Sequence, residues 1–383
     1  KSIVYQNIKA NTTKEILSVI RNDRDGLNID KNLIKKIVAV YERMGMESLD
    51  TYTADLEKAL LEETRLYYSQ KGLEWLSAYD TPSYLQKAEE AFQKESDRVK
   101  AYLIGATEKK IAKVCEDELL EKHEEALITK EGSGCKALLE NKRNEHLSRM
   151  FRLFSKIPNG LEPIAKLVRE HIEEKGKEIV DARASQVKEA GKDNANDPTF
   201  VKALMKLHDH FNATVENQFC QNPLFQKAMK EAFEVFINND VGDHTNAEML
   251  ASYCDRFLKT GGERMTEEQV EQELEKVVQL FTYLQDKDLF AEIYRNLLAK
   301  RLLNKRSASD DAEKSMISML KLRCGSQFTQ KMEGMISDLA IGKEHLLKFK
   351  QFRETDESKN EIDFSVQVLT TGYWPTYVAM DLT

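Results

Sequence analysis

Along most of this 383-residue chain apolar residues return every three or four positions, and helix-start signals recur at intervals of roughly 20 to 40 residues. That pattern admits a succession of amphipathic helices and little else. Gly and Pro number only 16 and 6, which favours long helices over a sandwich or a doubly wound sheet. The expectation is an all-α protein, long enough to divide into roughly two to four units.

The start signals place the helices. Thr81-Pro82 reads as an N-cap with proline at the first helical position, ahead of Leu85, Ala88, Phe92, Val99 and Leu103 on one face. Asp197-Pro198 repeats the device. Lys259-Thr260-Gly261-Gly262 is the clearest linker, its glycines suited to end a helix. Beyond it Thr266-Glu267-Glu268-Gln269 is a capping box, Asp286 or Asp288 caps a second helix, and Ser309 caps a third that ends at Cys324-Gly325. A fourth helix runs from about Gln327 to Leu339. These four read as a four-helix bundle. In Ile362-Asp363-Phe364-Ser365-Val366-Gln367-Val368 the period changes to strict alternation, which predicts a single half-buried β-strand.

Composition narrows the function classes. The 65 acids and 57 bases, net charge -8, are spread along the chain, so no basic stripe marks a nucleic-acid footprint. The longest apolar runs are a few residues, too short to span a bilayer, and the N-terminus lacks the pattern of a signal peptide. Cys115, Cys135, Cys220, Cys254 and Cys324 match neither a disulfide framework nor a metal knuckle and read as reduced thiols. The chain opens without Met and stops at MDLT, and is expected to be a fragment of something longer.

Chemistry is hard to find. There is no phosphate loop, nucleophile elbow or His-Glu-x-x-His, and no cofactor motif. His208 and His210, two residues apart on a helix, point about 160° away from each other and cannot share a metal. Glu pairs such as Glu267-Glu268 fit solvated faces, and Met316, Met319, Met332 and Met335 fit either gap-filling core or an adaptable groove.

One local conflict stands out in DLFAEIYRNLLAKRLLNKRSASDDAE: Lys300 and Arg301 fall on the arc that should be buried. Three readings are open. The cations can sit at the helix C-terminus and snorkel, Arg301 can pair with Asp310 or Asp311, or both can join Lys305 and Arg306 in a basic patch for an acidic partner.

The run LQDKDLFAEIYRNLLAKRLLNKRSASDDAEKSMISMLKLRCGSQFTQKMEGMISD, followed by VLTTGYWP, resembles the signature of the cullin family. Upstream, CKALLENKRNEHLSRMFRLFSKIPNGLEPIAKLVREH and FQKAMKEAFEVFINND are similar to cullins that assemble with an F-box adaptor. The resemblance implies divergent five-helix repeats forming an elongated stalk, then a four-helix bundle and a truncated α/β domain. Laid on this chain it implies the end of a first repeat at 1–22, a second at 23–145, a third at 146–262, the bundle at 263–350, and a linker with the first α/β strand at 351–383.

It also implies a function. The resemblance implies a non-catalytic scaffold of a multi-subunit RING-type ubiquitin ligase, here of the SCF type, separating a substrate-receptor end from a RING end in cytoplasm and nucleus. The implied partners are a RING-box protein, an F-box adaptor protein and a cullin exchange factor, with no nucleic acid and no membrane. The adaptor site and the modified lysine of the family have no counterpart in this stretch. Phe364, Val366, Val368 and Trp374 are expected at the sheet edge that meets the RING-box protein, and Lys300, Arg301, Lys305 and Arg306 at a basic corner of the bundle. An alternative is a truncated decoy that binds a cullin regulator without supporting ubiquitylation.

Overall fold

The computed structural model describes residues 2–46, 48–190, 194–262, 265–355 and 366–377. Its helices are α1 (Ser2–Arg24), α2 (Lys31–Met44), α3 (Asp50–Tyr52), α4 (Lys58–Ala78), α5 (Thr81–Tyr102), α6 (Glu108–Leu119), α7 (Glu124–Ile128), α8 (Cys135–Glu140), α9 (Asn144–Phe154) and α10 (Glu162–Ala190). They continue as α11 (Pro198–Asn217), α12 (Pro223–Phe236), α13 (Asn246–Leu258), α14 (Glu267–Phe281), α15 (Lys287–Leu303), α16 (Asp310–Cys324) and α17 (Ser326–Thr355). Among the described residues there is no sheet, only an isolated antiparallel bridge between Lys259 and Ser307. The chain packs as two compact units, Lys1–His171 with Ala213–Ala228, and Ile172–Asn212 with Met229–Thr383.

The first unit holds a buried charge network. Arg24, the last residue of α1, donates to both carboxylate oxygens of Glu95 on α5 at 2.9 and 3.2 Å. Arg98 joins Glu95 (2.9 Å) to Asp23 (2.7 Å), and the Tyr68 hydroxyl on α4 donates to Glu95 at 2.8 Å. Burial alone would raise the Glu95 pKa, but the two guanidinium groups and Tyr68 hold it below the ordinary value. Glu95 follows Ala88 and Ala91 and precedes Val99 on the buried stripe, so the helix carries a carboxylate into its own core face.

One cap differs from expectation. Asp80 caps α5, its side chain accepting from the Ser83 N–H, and Pro82 sits one place further in. Thr81 is buried and its hydroxyl goes instead to the Leu127 carbonyl at 2.9 Å. A carboxylate is the stronger acceptor for an N-terminal amide, and the threonine is drawn inward.

In the second unit the Thr266–Gln269 capping box forms in full, and Asp286 and Ser309 cap α15 and α16. Gly325, at φ +87°, closes α16 in a conformation costly for any side chain. Helices α14 to α17 pack on one another around Leu274, Phe281, Phe290, Leu298, Met316, Leu320, Met332 and Met335, all buried. Three of the four bundle methionines are thus core. Helix α17 runs 16 residues past the expected end at Leu339, because AIGKEHLLKFKQF holds no Pro and its one glycine, Gly342, is tolerated inside a helix.

The predicted strand is not a strand where it is described. Residues 362–365, Phe364 among them, lie outside the described residues, and 366–370 have no regular secondary structure. A lone strand has no neighbour for its backbone groups. The chain is anchored just beyond it, where Thr370 and Trp374 bond Asp338 of α17.

Candidate interaction site on the helical bundle

Arg301 lies three residues after Leu298 and seven after Tyr294, so the helix turns it toward the bundle core, where it is 2% exposed. Its Nε and Nη2 donate to the two carboxylate oxygens of Glu313 on α16, at 2.7 and 2.8 Å, and Nη1 donates to Asp255 on α13 at 2.6 Å. Glu313 also accepts from the Ser307 hydroxyl (2.9 Å) and from Tyr294 (3.3 Å). The guanidinium lies 5.4 Å from the Tyr294 ring centroid. Each of the three guanidinium nitrogens thus has a carboxylate acceptor. Burial opposes its charge, yet the Glu313 hydrogen bonds and neighbouring charges keep the Arg301 pKa above the ordinary value. The same apolar surroundings push the buried Cys254 thiol up to about 12.

The buried pair thus wins over the snorkel, with a correction to the partners. Asp310 and Asp311 occupy the first positions after the Ser309 cap, and their side chains are 65% and 93% exposed. Glu313 lies three and four residues before Met316 and Ile317, on the core stripe of α16, and that spacing is the signal that could have named it. Asp255 follows buried Cys254 and had no comparable signal.

The backbone reinforces this corner. Lys305 takes φ +54°, closing a Schellman turn in which Arg306 N–H bonds Arg301 O (2.7 Å) and Lys305 N–H bonds Leu302 O (3.2 Å). Thr260 N–H reaches Arg306 O at 2.7 Å and Ala308 N–H reaches Leu258 O at 2.8 Å, tying the linker after α13 to the α15–α16 turn. Lys300, Lys305 and Arg306 are exposed, so only Arg301 of the four cations is structural.

The second group of expected site residues comes to the same place. Val366, with Gln367, forms one wall of a groove of about 440 Å³, whose other walls include Arg301, Lys305, Asp310, Lys343 and Leu346. Val366 and Val368 are 53% and 69% exposed, and the backbone of residues 366–369 makes no hydrogen bond to any described residue. Trp374, by contrast, is buried, its indole N–H donating to Asp338 on α17 at 2.8 Å. Phe364 lies outside the described residues.

His208 is buried and bonds the Tyr283 hydroxyl at 3.0 Å, within a cluster that includes Phe233. Among the described residues no group of three His, Cys, Asp or Glu side chains could hold a metal. No helix is long and apolar enough to cross a membrane.

These features define an all-helical protein whose buried polar groups join helix to helix and whose exposed edge is held on a bundle. A family model described as the cullin alpha solenoid domain matches residues 1–346. The chain belongs to the cullin family. It is 41% identical over 393 residues to Cullin-2 of Arabidopsis thaliana and 42% over 389 residues to Cullin-1 of Oryza sativa subsp. japonica, each covering 100% of this chain and 52% of the relative. It is 35% identical over 369 residues to Cullin-3 of Dictyostelium discoideum, covering 96% of this chain and 47% of that relative. The chain spans about half the length of the curated relatives it matches.

Proposed function

We propose that this chain is the scaffold segment of a multi-subunit cullin-RING ubiquitin ligase of the SCF type, and that it is not itself a catalyst. Its work is to keep a substrate-receptor end and a RING end at a set separation, which makes ubiquitin transfer a matter of effective concentration. The partners of the assembled protein are a RING-box protein, an F-box adaptor and an exchange factor, and the place of work is cytoplasm and nucleus.

The observation that carries this reading, within a cullin chain, is the edge at 366–369. Its backbone groups are unpaired among the described residues and its valines face outward beside the bundle, the arrangement that a partner strand can extend. Lys300, Lys305 and Arg306 offer exposed cations at the neighbouring corner for an acidic surface.

Co-purification tests it. The chain, expressed with any flanking sequence its gene encodes, is expected to recover a RING-box protein and an F-box adaptor from extracts of its source. Recovery of neither ends the ligase reading.

A further inference from the structure

Asp338 is a half-buried carboxylate on α17 that pairs with no cation among the described residues. Its donors among the described residues come from one short segment downstream. The Thr370 N–H and the Trp374 indole N–H donate to Oδ2 at 2.7 and 2.8 Å, and the Thr370 hydroxyl donates to Oδ1 at 2.8 Å. Hydrogen bonds to a carboxylate are the strong kind, and three converging on one group specify position as well as affinity.

One turn earlier on the same face, Gly334 completes the seat. A Cβ there would lie 2.5 Å from the Tyr373 ring, so the ring can rest against the helix only because residue 334 has no side chain. The segment is shaped to match. Gly372 takes φ +98° and Tyr373 N–H bonds Thr370 O at 3.2 Å, a tight turn that turns Thr370, Tyr373 and Trp374 toward one helix face. Around this contact the segment is open: Val366, Val368 and Tyr377 are all more than half exposed. The docking is therefore local and made by particular groups.

We propose that the Gly334–Asp338 face of α17 is a built receptor for the Thr-Thr-Gly-Tyr-Trp turn, and that this docking positions the 366–369 edge for its partner. The receptor stands on its own geometry; the consequence for a RING-box protein rests on the ligase reading above. Leu369 is bonded directly to the anchored Thr370, so fixing the turn removes conformational freedom from the adjoining edge before a partner strand arrives. Asp338 is in this sense a positioning residue that need not touch the partner.

The test compares wild type with D338N, G334A, T370V and T370S. Hydrogen–deuterium exchange of the Thr370 and Tyr373 amides, the two in the segment that donate backbone hydrogen bonds, is expected to rise at least tenfold in D338N and G334A and by less in T370V. T370S, which keeps both donors, should behave as wild type. Trp374 emission should shift to the red in D338N, while exchange in α14 to α16 stays unchanged, which separates release of the turn from unfolding of the bundle. Unchanged exchange and emission in both D338N and G334A overturn the receptor.

Association with a RING-box protein is then measured on the chain with its flanking sequence. The expected result for D338N is an association rate lowered at least fivefold. A freed turn with an undiminished association rate overturns the positioning role. A freed turn in a protein whose wild type binds no RING-box protein upholds the receptor and removes the ligase reading instead.

Discussion

Arg301 and Glu313 meet in the bundle core through two parallel hydrogen bonds of 2.7 and 2.8 Å, with both side chains almost fully excluded from water. The pair lies twelve residues apart across the α15–α16 turn, and Asp255 extends it to α13. A cation and an anion buried together fix helix geometry more than they add stability.

Removing one member exposes that distinction. R301L leaves Glu313 buried without its cation, and a loss of about 3–5 kcal/mol of stability is expected by urea denaturation. R301L combined with E313L removes both charges and should recover half or more of the loss. Equal instability of single and double variants would show that shape, not charge, sets the joint.

Lys305 closes the Schellman turn at φ +54°, a conformation that costs an L-residue with a Cβ about 1 kcal/mol. K305G is expected to raise stability by about that amount. A fall in unfolding midpoint would mean that the lysine side chain holds the turn by contacts of its own.

Two helical glycines should respond oppositely to alanine. At Gly176 of α10 a Cβ would run into the buried Phe236 ring, so G176A is expected to cost about 1–3 kcal/mol. Nothing lies within 4 Å of a Cβ at Gly342, and G342A should gain about 0.5–1 kcal/mol from helix propensity. Thermal unfolding of both variants reads the contrast.

Burial depresses the His208 pKa below its usual 6.5, against the opposing pull of Asp209. In the unfolded chain the imidazole protonates more readily, so its contribution is complete above pH 6.5 and is lost as pH falls below that value. H208Q should flatten the stability profile between about pH 7 and 5. An identical slope in both proteins would remove His208 as the cause.

Much of this architecture was written in local signals. The caps at Thr266, Asp286 and Ser309, and Gly325 after α16, each act through backbone groups within three or four residues, and each forms as read. Arg301 was legible as a conflict on an apolar stripe, but its true partner needed the same wheel drawn for α16. The Glu95 carboxylate shares a face with Ala88, Ala91 and Val99, but its cation Arg24 lies 71 residues away on α1 and leaves no local trace. The Asp338 seat was illegible. Its donors lie 32 and 36 residues away, and its other half is the absence of a side chain at Gly334. Long-range matches of this kind leave no periodic trace, and at 366–368, the described part of the alternating run, no strand forms because alternation encodes a face, not the neighbour strand that face requires.

The scaffold account stands most directly on the 366–369 edge. The measurement is the amount of RING-box protein that co-purifies with the chain and its flanking sequence, compared between wild type and V366D/V368D. Both valines are exposed, so the double variant should keep the wild-type unfolding midpoint. The account predicts near-stoichiometric recovery with wild type and loss of at least nine-tenths of it in the variant; equal recovery from both proteins would contradict it.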